Sequence, residues 1–192
     1  STGCGLNVNT NMRLKAAYIS QVVKPIHNGE VILDAGITNW NLRPRFENGV
    51  LTTIDTEDLK LSGELTPGEQ SNYKYILHID GHSSAFRLSL EMSMGSVILL
   101  CESKYYTWYR KNLKEYVHYV PVKKDLSDLE SQIIWCINND SKCQQIAENA
   151  MNFYNIFLQK DGIYDYLQTL LVKLKGETGD FVFSPSIQNV QT

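Results

Sequence analysis

The sequence predicts an α/β fold, and three observations carry the expectation. Two short apolar, β-prone runs, Tyr75-Ile76-Leu77 and Ser96–Cys101, flank a helical stretch. That order is a β-α-β unit, whose strands lie parallel with a right-handed crossover. The chain then ends in successive segments with helical periodicity. At 192 residues, 43% hydrophobic and 20% charged, it is long enough to bury one ordinary core.

The elements follow in order. Asn11 is placed to cap a helix over Met12–Ile19, closed by Pro25 and an Asn28-Gly29 turn. Val31–Ile37 has the composition of a short buried strand. Residues 38–49 form a loop with Trp40, Arg43, Pro44 and Arg45 as anchors, and Leu51–Ile54 a further short strand. Thr66-Pro67-Gly68-Glu69 starts a turn or helix. After the first strand of the β-α-β unit, Ser83 or Ser84 opens a helix through Leu88, Leu90 and Met92, ended by Gly95. Lys104–Leu113 is an aromatic-rich helix and Tyr116–Val122 an edge strand. Ser127 and Glu130 have capping-box spacing before Ile133, Asp140 opens a helix through Phe157, and Asp161 a last one to Leu174. The expected division is one lobe over 1–175 and a loose tail over 176–192.

Composition excludes several functions. A net charge of −3 and a pI near 5.8 leave no basic footprint for nucleic acid. No run is long and apolar enough to span a bilayer. The four cysteines form no CxxC pair, which argues against zinc and for buried or free thiols. The chain begins Ser1-Thr2-Gly3 rather than with Met, so it is expected to be a piece of a longer polypeptide.

The segment with the most chemistry is His78-Ile79-Asp80-Gly81-His82-Ser83-Ser84-Ala85-Phe86-Arg87. A strand, a polar turn and a helix start suit an anion, because unpaired backbone N–H groups and the helix dipole favour negative charge. Arg87 adds a planar fork that matches phosphate oxygens. Each residue also has a plainer reading. Arg87 is a phosphate clamp or a surface arginine, and Ser83 and Ser84 meet phosphate or only cap the helix. Asp80 holds a sugar hydroxyl or partners the turn at Gly81. Glu91 is expected on a solvated helix face, as are Lys123 and Lys124 on the surface, and His118 is expected to be packed. Tyr105, Trp108 and Tyr109 stack on a ligand or fill the core.

The alternation of His78, Asp80 and His82 also fits an H-x-D-x-H metal site of a hydrolase. Against it, only His27 and His118 remain as imidazoles, no H-E-x-x-H accompanies the triplet, and Gly81 breaks the strand before His82.

The order of these pieces resembles glycosyltransferase family 90, the family of Rumi-type protein O-glucosyltransferases, O-xylosyltransferases and fungal capsule-associated xylosyltransferases. The matching segments are Lys74-Tyr75, Asp80-Gly81, Ser84–Arg87, Gly95-Ser96, Trp108-Tyr109, His118–Val122, Asp125–Leu129 and Ile146-Ala147. Ser1-Thr2-Gly3 with Asn11–Leu14 resembles the family's Arg-Gly-Ser-x-Thr segment and following Asn-x-Arg/Lys-Leu.

The resemblance implies the C-terminal, Rossmann-like lobe of a GT-B enzyme, which transfers glucose or xylose from UDP-glucose or UDP-xylose to a protein or glycan hydroxyl with inversion. It implies that Gly81, His82, Ser83, Ser84, Ala85, Phe86 and Arg87, with Ser1 and Thr2, bind the donor nucleotide, and that no cofactor or metal is needed. The Arg-Gly before Ser1 and the N-terminal lobe lie outside the chain, and with them the carboxylate base. The chain alone is therefore expected to be inactive, and no catalytic residue is assigned within it. Compartment follows source: ER or Golgi for a cellular member, cytoplasm for a viral or bacterial one. The rival classes are the metal-dependent hydrolase on His78, Asp80 and His82 and a non-catalytic carbohydrate-binding or scaffold module.

Overall fold

The structure, a computed structural model, describes residues 5–178. These fall into two compact units, one through Tyr154 and one from Asn155.

In the first unit, α1 (Met12–Tyr18) is capped by Asn11, whose side chain accepts from the Leu14 N–H at 3.2 Å. A single π-type turn over Ile19–Val23 extends it, and Lys24, at φ 52°, ends it. Two small hairpins follow. β1 (Ile26–His27) pairs with β2 (Glu30–Val31), and β3 (Arg45–Glu47) with β4 (Val50–Thr52). Asn28-Gly29 and Asn48-Gly49, all at positive φ, make the two-residue turns that right-twisted hairpins favour. α2 (Pro67–Gln70) is a single turn with a reciprocal capping box between Thr66 and Glu69.

The centre is a parallel sheet in the order β5 (Tyr75–His78), β6 (Val97–Cys101) and β7 (Val120–Val122). β6 is buried along its whole length because it is paired on both sides and covered on both faces. Its alternation divides the core. Val97, Leu99 and Cys101 join Val120, Val122, Leu129, Ile133 and Ile146 in one cluster, while Ile98 and Leu100 point the other way. α3 (Leu88–Met92) makes the crossover between β5 and β6 and buries Leu88 and Met92. α4 (Leu129–Asn138) and α5 (Asp140–Phe153) bury Leu129, Ile133, Cys136, Cys143, Ile146 and Ala147 in the first cluster. α1 has a second role: Ala16 belongs to that cluster, whereas Leu14 and Ala17 pack with Leu6, Ile37, Ile54 and Leu59 in another. The fold is α/β and Rossmann-like, with a helical C-terminal part.

Several local expectations are corrected. Residues 31–37 are not a buried strand. Val31 is exposed, and the stretch runs as extended chain with Leu33 and Ile37 buried and a lone bridge from Ile37 to Leu61. It is tethered through side chains, the Ser20 hydroxyl donating to the Leu33 carbonyl and accepting from the Ala35 N–H, both at 2.9 Å. Residues 104–113 form no long helix, only a 3-10 turn at Arg110–Asn112. Of the strand expected over 116–122, only Val120–Val122 joins the sheet, because Tyr116 turns at φ 55° and Tyr119 bridges back to Glu115. Ser127 does not cap α4. Asp128 holds that position, and its carboxylate accepts from the Lys123 N–H instead.

In the second unit, α6 (Lys160–Thr178) runs past the expected end at Leu174, so 176–178 are helical. The remainder of the expected tail, with Ser1, Thr2 and Cys4, lies outside the described residues. Among the described residues no helix is long and apolar enough to cross a membrane, and Cys101, Cys136 and Cys143 are free and buried.

Candidate functional site

The site is built at the carboxyl end of β5, where ligands of open parallel sheets bind. There the chain leaves the sheet through Ile79 and folds a tight loop. The Asp80 carboxylate accepts from the Ala85 N–H at 2.6 Å, and the Gly81 N–H donates to the Ser83 carbonyl at 3.1 Å. The Tyr105 hydroxyl holds the loop from outside by donating to the His82 carbonyl at 2.7 Å.

Two guanidinium groups converge beneath this loop. Arg13, from α1, donates through Nε and Nη2 to the Ile79 carbonyl at 3.2 and 3.0 Å, and Arg87 donates through Nη2 to the same oxygen at 3.3 Å. Gly81 lies against the Arg13 guanidinium, where a Cβ would make an ordinary contact at 3.4 Å to its central carbon. Burial, and then the neighbouring Arg87 charge, lower the Arg13 pKa. Both arginines border a cavity of about 490 Å3 lined by the 32–38 segment and β5.

A buried ion chain lies behind the arginines. Glu91 of α3 uses both oxygens: Oε2 meets His78 Nδ1 at 2.5 Å, and Oε1 accepts from Arg87 Nε at 2.7 Å. His78 Nε2 lies 3.7 Å from Asp80 Oδ1. His78 and Glu91 are 1% and 2% exposed, and the Arg87 side chain 38%. Burial opposes charge on His78, but hydrogen bonds to Asp80 and Glu91 outweigh it and raise its pKa. Burial likewise opposes charge on Glu91 and Asp80. His78 and Arg87 nonetheless hold Glu91 below its usual range, and bonds from His78, Ser103 and the Ala85 N–H hold Asp80 well below it.

These positions revise the sequence reading. Neither Ser83 nor Ser84 begins a helix. The helix starts at Leu88, with Arg87 at its cap, and is five residues long. The dipole of a long helix therefore does not face the loop, and the Ala85 N–H is already taken by Asp80. What gathers at the loop is arginine charge. Asp80 is the turn partner that its plainer reading described. His82, Ser83 and Phe86 are exposed, Phe86 at 88%, while Gly81, Ser84 and Arg87 are half-buried and Ala85 is buried.

Glu91 was expected in solvent and is instead buried. The signal that could have found it is the i, i+4 spacing from Arg87, which places two opposite charges on one helical face. In the sequence, Arg13 stands out only within the family-like Asn11–Leu14 segment. The H-x-D-x-H triplet is not assembled, since His78 Nδ1 is committed to Glu91 and His82 is exposed. Among the described residues no three His, Cys, Asp or Glu side chains converge as a metal site requires. The hydrolase reading is therefore withdrawn.

The other candidates are structural or peripheral. His118 Nδ1 accepts from the Lys114 N–H at 3.0 Å and its ring meets Phe153 edge-on. Tyr109 is buried, Trp108 packs edge-on against it while partly exposed, and Lys123 and Lys124 are exposed.

Comparison with known proteins agrees with this architecture. The sequence model of glycosyl transferase family 90 matches residues 37–175. An uncharacterized protein, 179R, of Invertebrate iridescent virus 6 is 50% identical over 190 residues, covering 91% of this chain and 16% of that protein. Protein 027R of Frog virus 3, also uncharacterized, is 35% identical over 202 residues, covering 97% of this chain and 20% of its own length. Protein O-glucosyltransferase 3 of Homo sapiens is 30% identical over 153 residues, or 80% of this chain and 28% of that protein. The chain thus spans less than a third of the length of each of these relatives. With a parallel sheet, a β-α-β crossover and a family match across most of its length, the chain belongs to glycosyl transferase family 90.

Proposed function

We propose that this chain is the donor-side lobe of a longer GT-B glycosyltransferase, and that the 80–87 loop holds the diphosphate of UDP-glucose or UDP-xylose. The observation that supports the reading most is the convergence of Arg13 and Arg87 on the Ile79 carbonyl at the carboxyl end of β5. Glu91 and Asp80 offset part of the charge of these two guanidinium groups, and diphosphate oxygens match the planar forks that arginines present. Gly81–Arg87, with Ser1 and Thr2, are the proposed contacts to the donor nucleotide. Arg13 is added to them, while the Ala85 N–H is left out.

In this reading the arginines stabilise the negative charge that grows on UDP as the sugar–phosphate bond breaks. The acceptor hydroxyl, on a protein or glycan, attacks from the opposite face and gives inversion. Its proton goes to a carboxylate base in the amino-terminal lobe of the same polypeptide. The 1–175 lobe is then one lobe of a longer enzyme and inactive by itself.

The test is a panel of nucleotide sugars incubated with the full-length polypeptide, followed by product analysis. Release of UDP from UDP-glucose or UDP-xylose, but not from GDP- or CMP-sugars, is the expected result. No turnover of any UDP-sugar would make a non-catalytic module the better reading.

A further inference from the structure

The buried pair behind Arg87 has a consequence for that arginine's charge. Glu91 binds Arg87 through one oxygen and His78 through the other, and almost no water reaches it. A lone buried carboxylate on Arg87 would cancel most of the charge the arginine offers to a ligand. A protonated His78 cancels the carboxylate instead. We propose that the His78 imidazolium is a charge compensator and positioning group that keeps Arg87 available to an anionic ligand, the nucleoside diphosphate of the reading above, on which this inference rests.

Every charged group packed against His78 is consistent with this role. Glu91 faces it from α3 and Asp80 from the loop. Arg87 lies beyond Glu91, and Arg13 approaches from α1. Ser103, from the segment after β6, bonds Asp80. With His78 protonated, two carboxylates face three cations and the cluster carries one positive charge. When His78 loses its proton the cluster becomes neutral. Asp80, which ties the loop to the Ala85 N–H, also loses its cationic neighbour. Ligand affinity should then fall as pH rises through the His78 pKa, which lies above the ordinary histidine value.

The experiment is calorimetric titration of UDP into the full-length polypeptide from about pH 6 to pH 9, the span over which a raised histidine pKa titrates. Four proteins are compared: wild type, His78→Gln, Glu91→Gln and the double variant. Wild-type affinity should fall about tenfold toward high pH, the scale of one charge near an ion pair at a typical effective dielectric. His78→Gln, permanently neutral, should bind about tenfold more weakly than wild type at low pH and show no alkaline fall.

Glu91→Gln, which removes the carboxylate, should bind about as well as wild type at low pH without the fall. The double variant should recover the affinity that His78→Gln loses, because a neutral amide pair leaves Arg87 uncancelled. A purely structural role predicts the opposite, with each variant weaker and the double weakest. That result would overturn the inference, as would a wild-type pH profile retained by His78→Gln. Arg87→Ala serves as the control. If it weakens UDP binding by about tenfold or more while the His78 and Glu91 variants bind like wild type at every pH, the compensator fails and the donor site stands. If Arg87→Ala binds like wild type, the donor-site reading itself fails and the compensator with it.

Discussion

Replacing His78 by leucine breaks the most buried ionic contact among the described residues. The substitution removes the partner of Glu91 Oε2, at 2.5 Å, and leaves a carboxylate that is 2% exposed with Arg87 alone. Breaking a buried pair costs roughly 3–5 kcal/mol. Because Arg87 still bonds Oε1, and leucine regains some apolar burial, the expected loss is at the lower end, about 3 kcal/mol. For a chain of this size that lowers the midpoint by roughly 6–12 °C.

The pH dependence has a definite sign. His78 has a raised pKa, so its stabilisation is complete below the unfolded value of about 6.5 and is lost as pH rises through the folded value. Glu91 and Asp80 have lowered pKa values. Their share is present above the unfolded carboxylate range and is lost as pH falls through the folded values. Wild type should therefore be most stable between these limits, and the variant should lack the alkaline decline. Urea melts at about pH 5.5, 7 and 8.5 bracket the window. A variant within about 0.5 kcal/mol of wild type throughout, the usual range for substitutions away from any key contact, or one with an unchanged alkaline slope, would refute the reasoning.

Two further outcomes test the fold. Leu99→Ala, 2% exposed at the centre of β6, should destabilise by about 3–4 kcal/mol in chemical denaturation, with a loss below about 1 kcal/mol contradicting the packing described. Burial pushes the Cys101 thiol up to about 12 and raises Cys136 and Cys143 as well. A thiol reagent should therefore modify these three only after denaturant unfolds the chain, and rapid native labelling of any of them would place it outside the core.

The β-α-β unit was legible in the sequence because β5 and β6 are short apolar runs with a Gly-Ser boundary, and α1, α4 and α5 because their apolar spacing is helical. The 31–37 stretch misleads because, past Val31 in the β1–β2 hairpin, its apolar residues pack without joining a sheet and are held in part by Ser20. The aromatic run over 104–113 has helical composition, yet Tyr105 is drawn away to the His82 carbonyl. The Asn48-Gly49 turn is a readable hairpin signal, but Phe46, Val50 and Leu51 beside it are exposed and weakly patterned.

At the candidate site, local sequence singles out the 80–87 loop and Arg87 but not how the loop is built. Arg13 and Ile79 are far apart in the chain and meet only because α1 packs on the sheet. Glu91 looked solvated because nothing local shows that its helix face turns inward onto His78. Long-range pairing of charges leaves little trace in a single sequence.

The central claim is that Arg87 meets the donor diphosphate, and calorimetry of UDP with the full-length polypeptide tests it most directly. Arg87→Ala, confirmed folded by an unaltered circular dichroism spectrum, should weaken UDP binding by roughly tenfold to a hundredfold, the worth of a charge-assisted hydrogen bond. An affinity equal to that of wild type would contradict it.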